Sequence, residues 1–252
     1  EKKSYVTNVK AGKFLLKNNM NNNDIINSLR QPVETKLAFN NQERLEDFAG
    51  RIGSQIEADS TSLMKAFTDK EFLDENGFTE ENVLAMFSPN SYACFWNTSA
   101  EKFRERMAKE YRKFWTAERK AKAEVQKLTP IEVSILASIV HKETVKTDER
   151  PRVAGVYLNR LNKGIKLEAD PTVIYAVKKS ENDFERVIKR VLYKDLETVS
   201  PYNTYRNLGL PPGPIAMPDV TAIDAVLNPE KHNYIFFCAS VTNFGYHEFA
   251  VT

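Results

Sequence analysis

A chain of 252 residues that is 42% hydrophobic and 28% charged has ordinary globular balance and can bury one large core or two modest ones, which excludes disordered and fibrous classes. Its 36 Lys and Arg against 34 Asp and Glu leave a net charge of +2, too weak a field to steer it to nucleic acid or an anionic membrane. Two cysteines, Cys94 and Cys238, with only three histidines, fit neither a disulfide framework nor a zinc site, so both cysteines read as packing residues and no metal or cofactor is expected.

No run of about 18 apolar residues is present. The opening stretch EKKSYVTNVKAGKFLLKNNM reads as a segment entered partway through a domain, which leaves an upstream signal or anchor open. Composition divides the chain near residues 120–130, into 1–122 and 123–252. In the polar first part, residues 22–31 predict a short helix, 33–39 alternate as a strand does, and 41–58 predict a second helix. Residues 60–68, 80–85 and 99–122 predict further helices, the last long, charged and placed to connect the two parts.

The second part starts with a strong helix signal: Thr129 as N-cap, Pro130 in the first turn and Glu132 closing a capping box. That helix should reach about Val145. Another is expected over 150–162, stopped at Gly164, where a left-handed residue is easiest for glycine. A third begins at Asp170-Pro171, with Asp170 as its cap. Residues 200–218 (SPYNTYRNLGLPPGPIAMP) are too rich in proline and glycine for regular structure, and an ordered loop of that length is more often functional than idle. A helix over 219–227 and two strand-like runs, 234–239 and 246–251, complete the chain; the runs make a hairpin through Thr242-Asn243-Phe244-Gly245.

In TPIEVSILASIVHKETV an apolar stripe passes through Leu136, Ile139 and Val140, and the next position on it is Glu143. A carboxylate on a buried stripe without a cation keeps its proton to higher pH and can donate it to a leaving oxygen. The stripe equally ends there if Glu143 sits at the surface. His141 lies toward the polar face and reads as solvated. Arg160 follows Val153, Val156 and Tyr157 on one side of the next helix, where an arginine can also simply snorkel. Tyr202 and Tyr205, flanking Asn203, suit a carbohydrate groove or plain packing, and His247 is either exposed or turned toward a site.

Taken in order, LASIVHKET, VYLNRL, LEADPTVIYAV, YNTYRNLGLPPGPI and YIFFCASVTNFGYHEF resemble the endolytic murein transglycosylase (YceG-like) family, continuously over the second part. The first part, through RQPVETKLAFNNQERLEDFAGRI and FSPNSYACFWNTSAEKFRERM, resembles the region that precedes it in that family. The resemblance implies an α+β fold: a mainly helical catalytic domain with a small β-hairpin element, preceded by a smaller α+β LysM-like module. It places the catalytic glutamate on Glu143, the second acidic position of a Glu-Lys-Glu stretch whose first position is His141 here. It assigns substrate contacts to Asn159, Arg160, Asp170, Thr172, Tyr202, Asn203, Thr204, Tyr205 and His247. Two further departures, Asp219 and Tyr246 where glycines are usual, bear on loop shape.

The activity so implied is lytic cleavage of peptidoglycan glycan strands between N-acetylmuramic acid and N-acetylglucosamine, leaving 1,6-anhydro ends and limiting strand length. It would occur beside penicillin-binding synthases, on the periplasmic side of an inner membrane to which an N-terminal helix, outside these residues, tethers the protein. One carboxylate suffices for that chemistry, whereas a hydrolase needs a second, for which Asp170 is the candidate. The competing readings are a non-catalytic peptidoglycan-binding scaffold beside a synthase, and a metallohydrolase built on His141, His232 and His247, which no ligand spacing supports.

Overall fold

The computed structural model describes residues 10–252; the first nine residues of the opening stretch lie outside it. Over the described residues the fold is α+β and mostly helical, with two hydrophobic cores. The first core is gathered around strand β1 (Glu34–Phe39) and strand β2 (Asn90–Phe95), which pair antiparallel with Leu37 opposite Tyr92. Leu37 and Phe39 face inward from one strand, Tyr92 and Cys94 from the other. Helix α1 (Asn22–Ser28) precedes β1; α2 (Leu45–Gly53), α3 (Ser60–Phe67), α4 (Lys70–Asn76) and a 3₁₀ turn (Val83–Met86) fill the connection between the strands. Phe48 on α2 holds this core together, with the rings of Phe39, Phe67 and Phe87 centred 4.7, 5.4 and 4.4 Å away.

The predicted connector over 99–122 is two helices, α5 (Ala100–Phe114) and α6 (Ala117–Val125). Thr116 restarts the helix by accepting a hydrogen bond from the Arg119 amide, and the break turns Trp115 into the second core. The cores therefore divide at this break: Ala108 belongs to the first and Trp115 to the second.

The second core is organised by α7 (Pro130–Glu143), against which α8 (Arg150–Asn162), α9 (Asp170–Glu181) and α11 (Val220–Leu227) pack. The capping box forms as predicted: Thr129 Oγ1 accepts from the Glu132 amide at 3.2 Å, and Glu132 Oε2 accepts from the Thr129 amide at 2.8 Å. Every residue from Val133 to Val140 is buried, so α7 is a central helix apolar on nearly all sides and the single stripe expected from spacing is a fully enclosed shaft. Gly164 takes the left-handed conformation (φ +65°) that ends α8. The four-residue α10 (Tyr193–Leu196) leads into the irregular loop over 200–218, and strands β3 (Phe236–Ala239) and β4 (His247–Ala250) form the expected hairpin, with Ala239 opposite His247.

The loop over 200–218 is also the joint between the cores. Met217 is buried in the first core, its amide donating to Gln42 O at 2.9 Å and its carbonyl accepting from Asn41 Nδ2 at 2.7 Å. Gly213 lies so near the Glu81 carbonyl that a Cβ there would sit 1.8 Å from that oxygen. Glu43 bridges Lys142 on α7 and Lys178 on α9, at 2.6 and 3.1 Å.

Candidate active site

Helix α7 stops at Glu143 because Thr144 leaves it extended (φ −137°, ψ 134°). The last turn directs the Glu143 side chain into a cleft of about 420 Å³ between α8, the start of α9 and the β3–β4 hairpin, where Tyr157, Asp170, Tyr205, Phe237 and His247 meet it. Glu143 Oε2 is buried and makes no hydrogen bond. Burial pushes the carboxyl from 4.5 up to about 7; the Tyr157 hydroxyl, hydrogen-bonded to it, pulls the other way, and the negative charge of Asp170 adds to the rise. Tyr157 is itself buried, which holds its hydroxyl well above the usual tyrosine range, so it stays a neutral donor. A carboxyl poised near neutrality can both give and take a proton at physiological pH, the property required of a single acid and base.

Asp170 is the first residue of α9, but the N-cap is Ala169, with no side-chain cap. The Asp170 carboxylate instead accepts a hydrogen bond of 2.7 Å from the Tyr205 hydroxyl, so the expectation of a capping aspartate is corrected. Glu149 Oε1 accepts from the His247 amide at 2.7 Å, and Glu149 Oε2 lies 2.8 Å from His247 Nδ1, which brings the histidine into the cleft.

Several residues expected to touch substrate are placed elsewhere. Tyr202 is buried against Tyr175, ring centroids 4.7 Å apart, with Lys179 over its face. Asn203, also buried, donates to Leu196 O and Thr198 O at 2.8 and 2.9 Å and accepts from the Tyr205 amide at 3.0 Å, so its side chain shapes the loop that presents Tyr205. Thr172 and Thr204 form a buried hydroxyl pair, Oγ1 to Oγ1 2.7 Å, with Thr204 Oγ1 also capping the Ala169 amide at 3.0 Å. None of these four lines the cleft. Asn159 lies outside it too, its amide donating to His232 O and Tyr234 O at 2.9 Å each. Arg160 does line it, but as a tie: Nε donates to Lys166 O at 2.7 Å, Nη1 to Ile235 O at 2.9 Å, and Nη2 pairs with Glu168. The buried polar groups of the motifs are thus committed to partners within the protein, as desolvated polar groups must be.

His141 is half-buried rather than solvated, its Nδ1 3.1 Å from Asp219 Oδ2 and 3.3 Å from an Arg150 nitrogen. Burial lowers its pKa. The three histidines go to three places: His141 to Asp219, His232 to the Arg152 carbonyl at 2.9 Å, and His247 to Glu149. Cys94 is buried as expected, whereas Cys238 is exposed and lines the cleft. The sequence reading missed Tyr157 as a cleft residue, because it belongs to an apolar stripe. It missed Glu149, which no periodicity marks, Glu168, which pairs with Arg160 ahead of α9, and Phe236 and Phe237, which only the hairpin's fold-back brings in.

The sequence profile of the YceG-like family matches residues 1–252. Among curated proteins, the chain is 41% identical over 120 residues to the endolytic murein transglycosylase of Bacillus subtilis, covering 48% of this chain and 31% of that protein. It is 37% identical over 115 residues to the endolytic murein transglycosylase of Streptococcus pneumoniae, covering 46% of this chain and 20% of that one. The matched segment therefore spans a third or less of the length of these relatives. A crystal structure of a YceG-like protein from Listeria monocytogenes superposes with a TM-score of 0.70 at 30% identity, over 98% of this chain and 83% of that one.

Proposed function

The chain belongs to the YceG-like family, and on that premise we propose that it cuts peptidoglycan glycan strands by lytic transglycosylation, with Glu143 as both acid and base. The observation that carries this reading is the buried, unpartnered Glu143 Oε2 inside a cleft, held near neutrality by burial. Protonated Glu143 donates to the glycosidic oxygen between N-acetylmuramic acid and N-acetylglucosamine as the C1–O bond breaks and positive charge develops on the ring. The resulting carboxylate takes the proton of the C6 hydroxyl of the same muramoyl unit while O6 closes on C1. Atoms balance without water, the strand gains a 1,6-anhydro end, and Glu143 is returned protonated.

Tyr157 steadies the carboxyl through its hydrogen bond and, remaining neutral, offers a donor to it once it is ionised. Asp170, tied to Tyr205, is a fixed negative charge that keeps Glu143 protonated and favours the developing cation. His247 and Tyr205 are the polar groups left to meet sugar hydroxyls and acetamido groups, while Asn159, Arg160, Thr172, Tyr202, Asn203 and Thr204 act by holding the hairpin, α9 and the loop in place. The strand–helices–strand unit from β1 to β2 supports a LysM-like first module that holds glycan. Among the described residues no helix is long and apolar enough to cross a membrane; an N-terminal tether would keep the cleft on the extracytoplasmic side, beside the synthases whose strands it shortens.

The test is to incubate the protein and Glu143→Gln with intact glycan strands and read the new ends by mass spectrometry. Anhydro-muramoyl ends from wild type alone are expected, one water lighter than hydrolysed ends. Reducing ends would replace this mechanism with hydrolysis, and intact strands under a protein that binds them would leave a scaffold.

A further inference from the structure

Glu149 opens α8, where a side chain normally caps the free amides of the first turn, yet it makes no such bond. Its carboxylate is buried and is used on three other donors. Thr144 Oγ1 donates to Oε2 at 3.1 Å, the His247 backbone amide donates to Oε1 at 2.7 Å, and His247 Nδ1 approaches Oε2 at 2.8 Å, across 98 residues of chain. A carboxylate has only lone pairs to offer, so the short contact to Nδ1 requires a proton on that nitrogen. The imidazole stands nearly perpendicular to the Phe237 ring, centroids 5.0 Å apart at 75°, a contact that restrains the ring plane. In the neutral imidazole the other ring nitrogen, Nε2, then carries the lone pair, on a side chain that lines the Glu143 cleft.

We propose that Glu149 is a positioning residue that locks His247 as the Nδ1–H tautomer and so presents Nε2 to the cleft as a hydrogen-bond acceptor for a hydroxyl or amide donor of the bound glycan. The proposal rests on the glycan-cleavage reading above for the identity of the donor, and on the geometry alone for the tautomer. Glu143 is a donor when it begins the reaction and the Tyr157 hydroxyl is one throughout; an acceptor held rigidly on the hairpin complements them and orients a sugar hydroxyl that would otherwise rotate freely. The tautomer of a histidine is commonly set by the partner of its other nitrogen, and a wrong tautomer in otherwise intact geometry is severely damaging where the free nitrogen must act.

The test uses Glu149→Gln. The backbone amide of His247 is an obligatory donor, so the oxygen of the substituted side chain must face it, which turns the new NH₂ group toward Nδ1 and forces the ring to the Nε2–H form. Nitrogen-15 NMR at pH 8, with the His247 resonances identified by their loss in His247→Gln, should show protonated Nδ1 in wild type and protonated Nε2 in Glu149→Gln. On glycan strands kcat/KM should fall at least tenfold, and Glu149→Asp, which keeps an acceptor-only group, should restore the Nδ1–H signal and recover part of the rate. A wild type already in the Nε2–H form overturns the proposal even if the variant does not fold. So does a variant that changes tautomer and keeps full kcat/KM. Wild type that releases no new ends from strands it binds overturns the cleavage reading instead, while the wild-type spectrum still decides the tautomer.

Discussion

Replacing Glu143 by glutamine should make the protein more stable, and by an amount that depends on pH. The group titrates at about 7 in the folded chain and at 4.5 when unperturbed, so between those values the native state holds a proton that the unfolded chain has released. Stability therefore falls as pH rises from about 4.5 to about 7 and is level above that. At 1.36 kcal/mol for each pH unit between the two values, the full penalty is about 3 kcal/mol, an upper value because part of the residue faces the open cleft. The glutamine amide has no proton to lose. The gain of Glu143→Gln over wild type should be about 1 kcal/mol at pH 5 and about 3 kcal/mol at pH 8 by the same linkage, equivalent to roughly 6–12 °C in Tm at the higher pH for a chain of this size. Any change in the contact with Tyr157 contributes equally at both values and cancels in their difference. Urea unfolding of the two proteins at pH 5 and pH 8 is the assay. A gap that does not widen with pH would refute the assignment of a buried, protonated carboxyl, whatever the variant does to activity.

Asp170→Asn keeps an acceptor for Tyr205 but removes the negative charge that raises Glu143. Glu143 then ionises at lower pH, so the alkaline limb of the cleavage rate should move downward while the products remain anhydro ends; an upward move would contradict the sign. Gly213→Ala puts a methyl 1.8 Å from a backbone oxygen of Glu81, which no side-chain rotation relieves. It should destabilise by about 2 kcal/mol or more, read as a lower denaturation midpoint, and an unchanged midpoint would mean the two parts do not approach so closely. Asn203→Ala strands the carbonyls of Leu196 and Thr198 and frees the Tyr205 amide. About 1–2 kcal/mol is expected from partly buried polar groups left unsatisfied, with hydrogen exchange at the Tyr205 amide accelerated; protection as in wild type would show that the loop does not depend on this side chain.

Local signals carried much of the architecture. The capping box at Thr129, the stop at Gly164 and the final hairpin are each written within a few residues, because caps, left-handed glycines and alternation act at that range. The turn at Thr116 was hidden inside a long charged run, since what ends α5 there is the burial of Trp115 in a core formed by distant residues. Strand β2 escaped notice because its partner β1 lies more than fifty residues earlier, and α4 is too short for periodicity to mark.

Spacing left open whether the apolar stripe continues to Glu143 or ends there at the surface, and the family motif singled the residue out, while the enclosure of α7 on all sides is not visible in one dimension. Motif membership also singled out Tyr202, Asn203, Thr172 and Thr204, but a motif does not say which way a side chain is spent, and the fold spends these on ring packing and on buried hydrogen bonds. Tyr157 and Phe237 became cleft residues, and Glu149 the partner of one, only when α8 and the hairpin met. The sequence by itself determined most helices of the second part, the ends marked by a cap or a glycine and, through the family motif, the carboxyl to examine, because backbone preferences and polarity act locally. The tertiary structure alone decided the acidity of Glu143 and the partner of His247, because desolvation and hydrogen bonding depend on atoms that the chain brings together from up to a hundred residues apart.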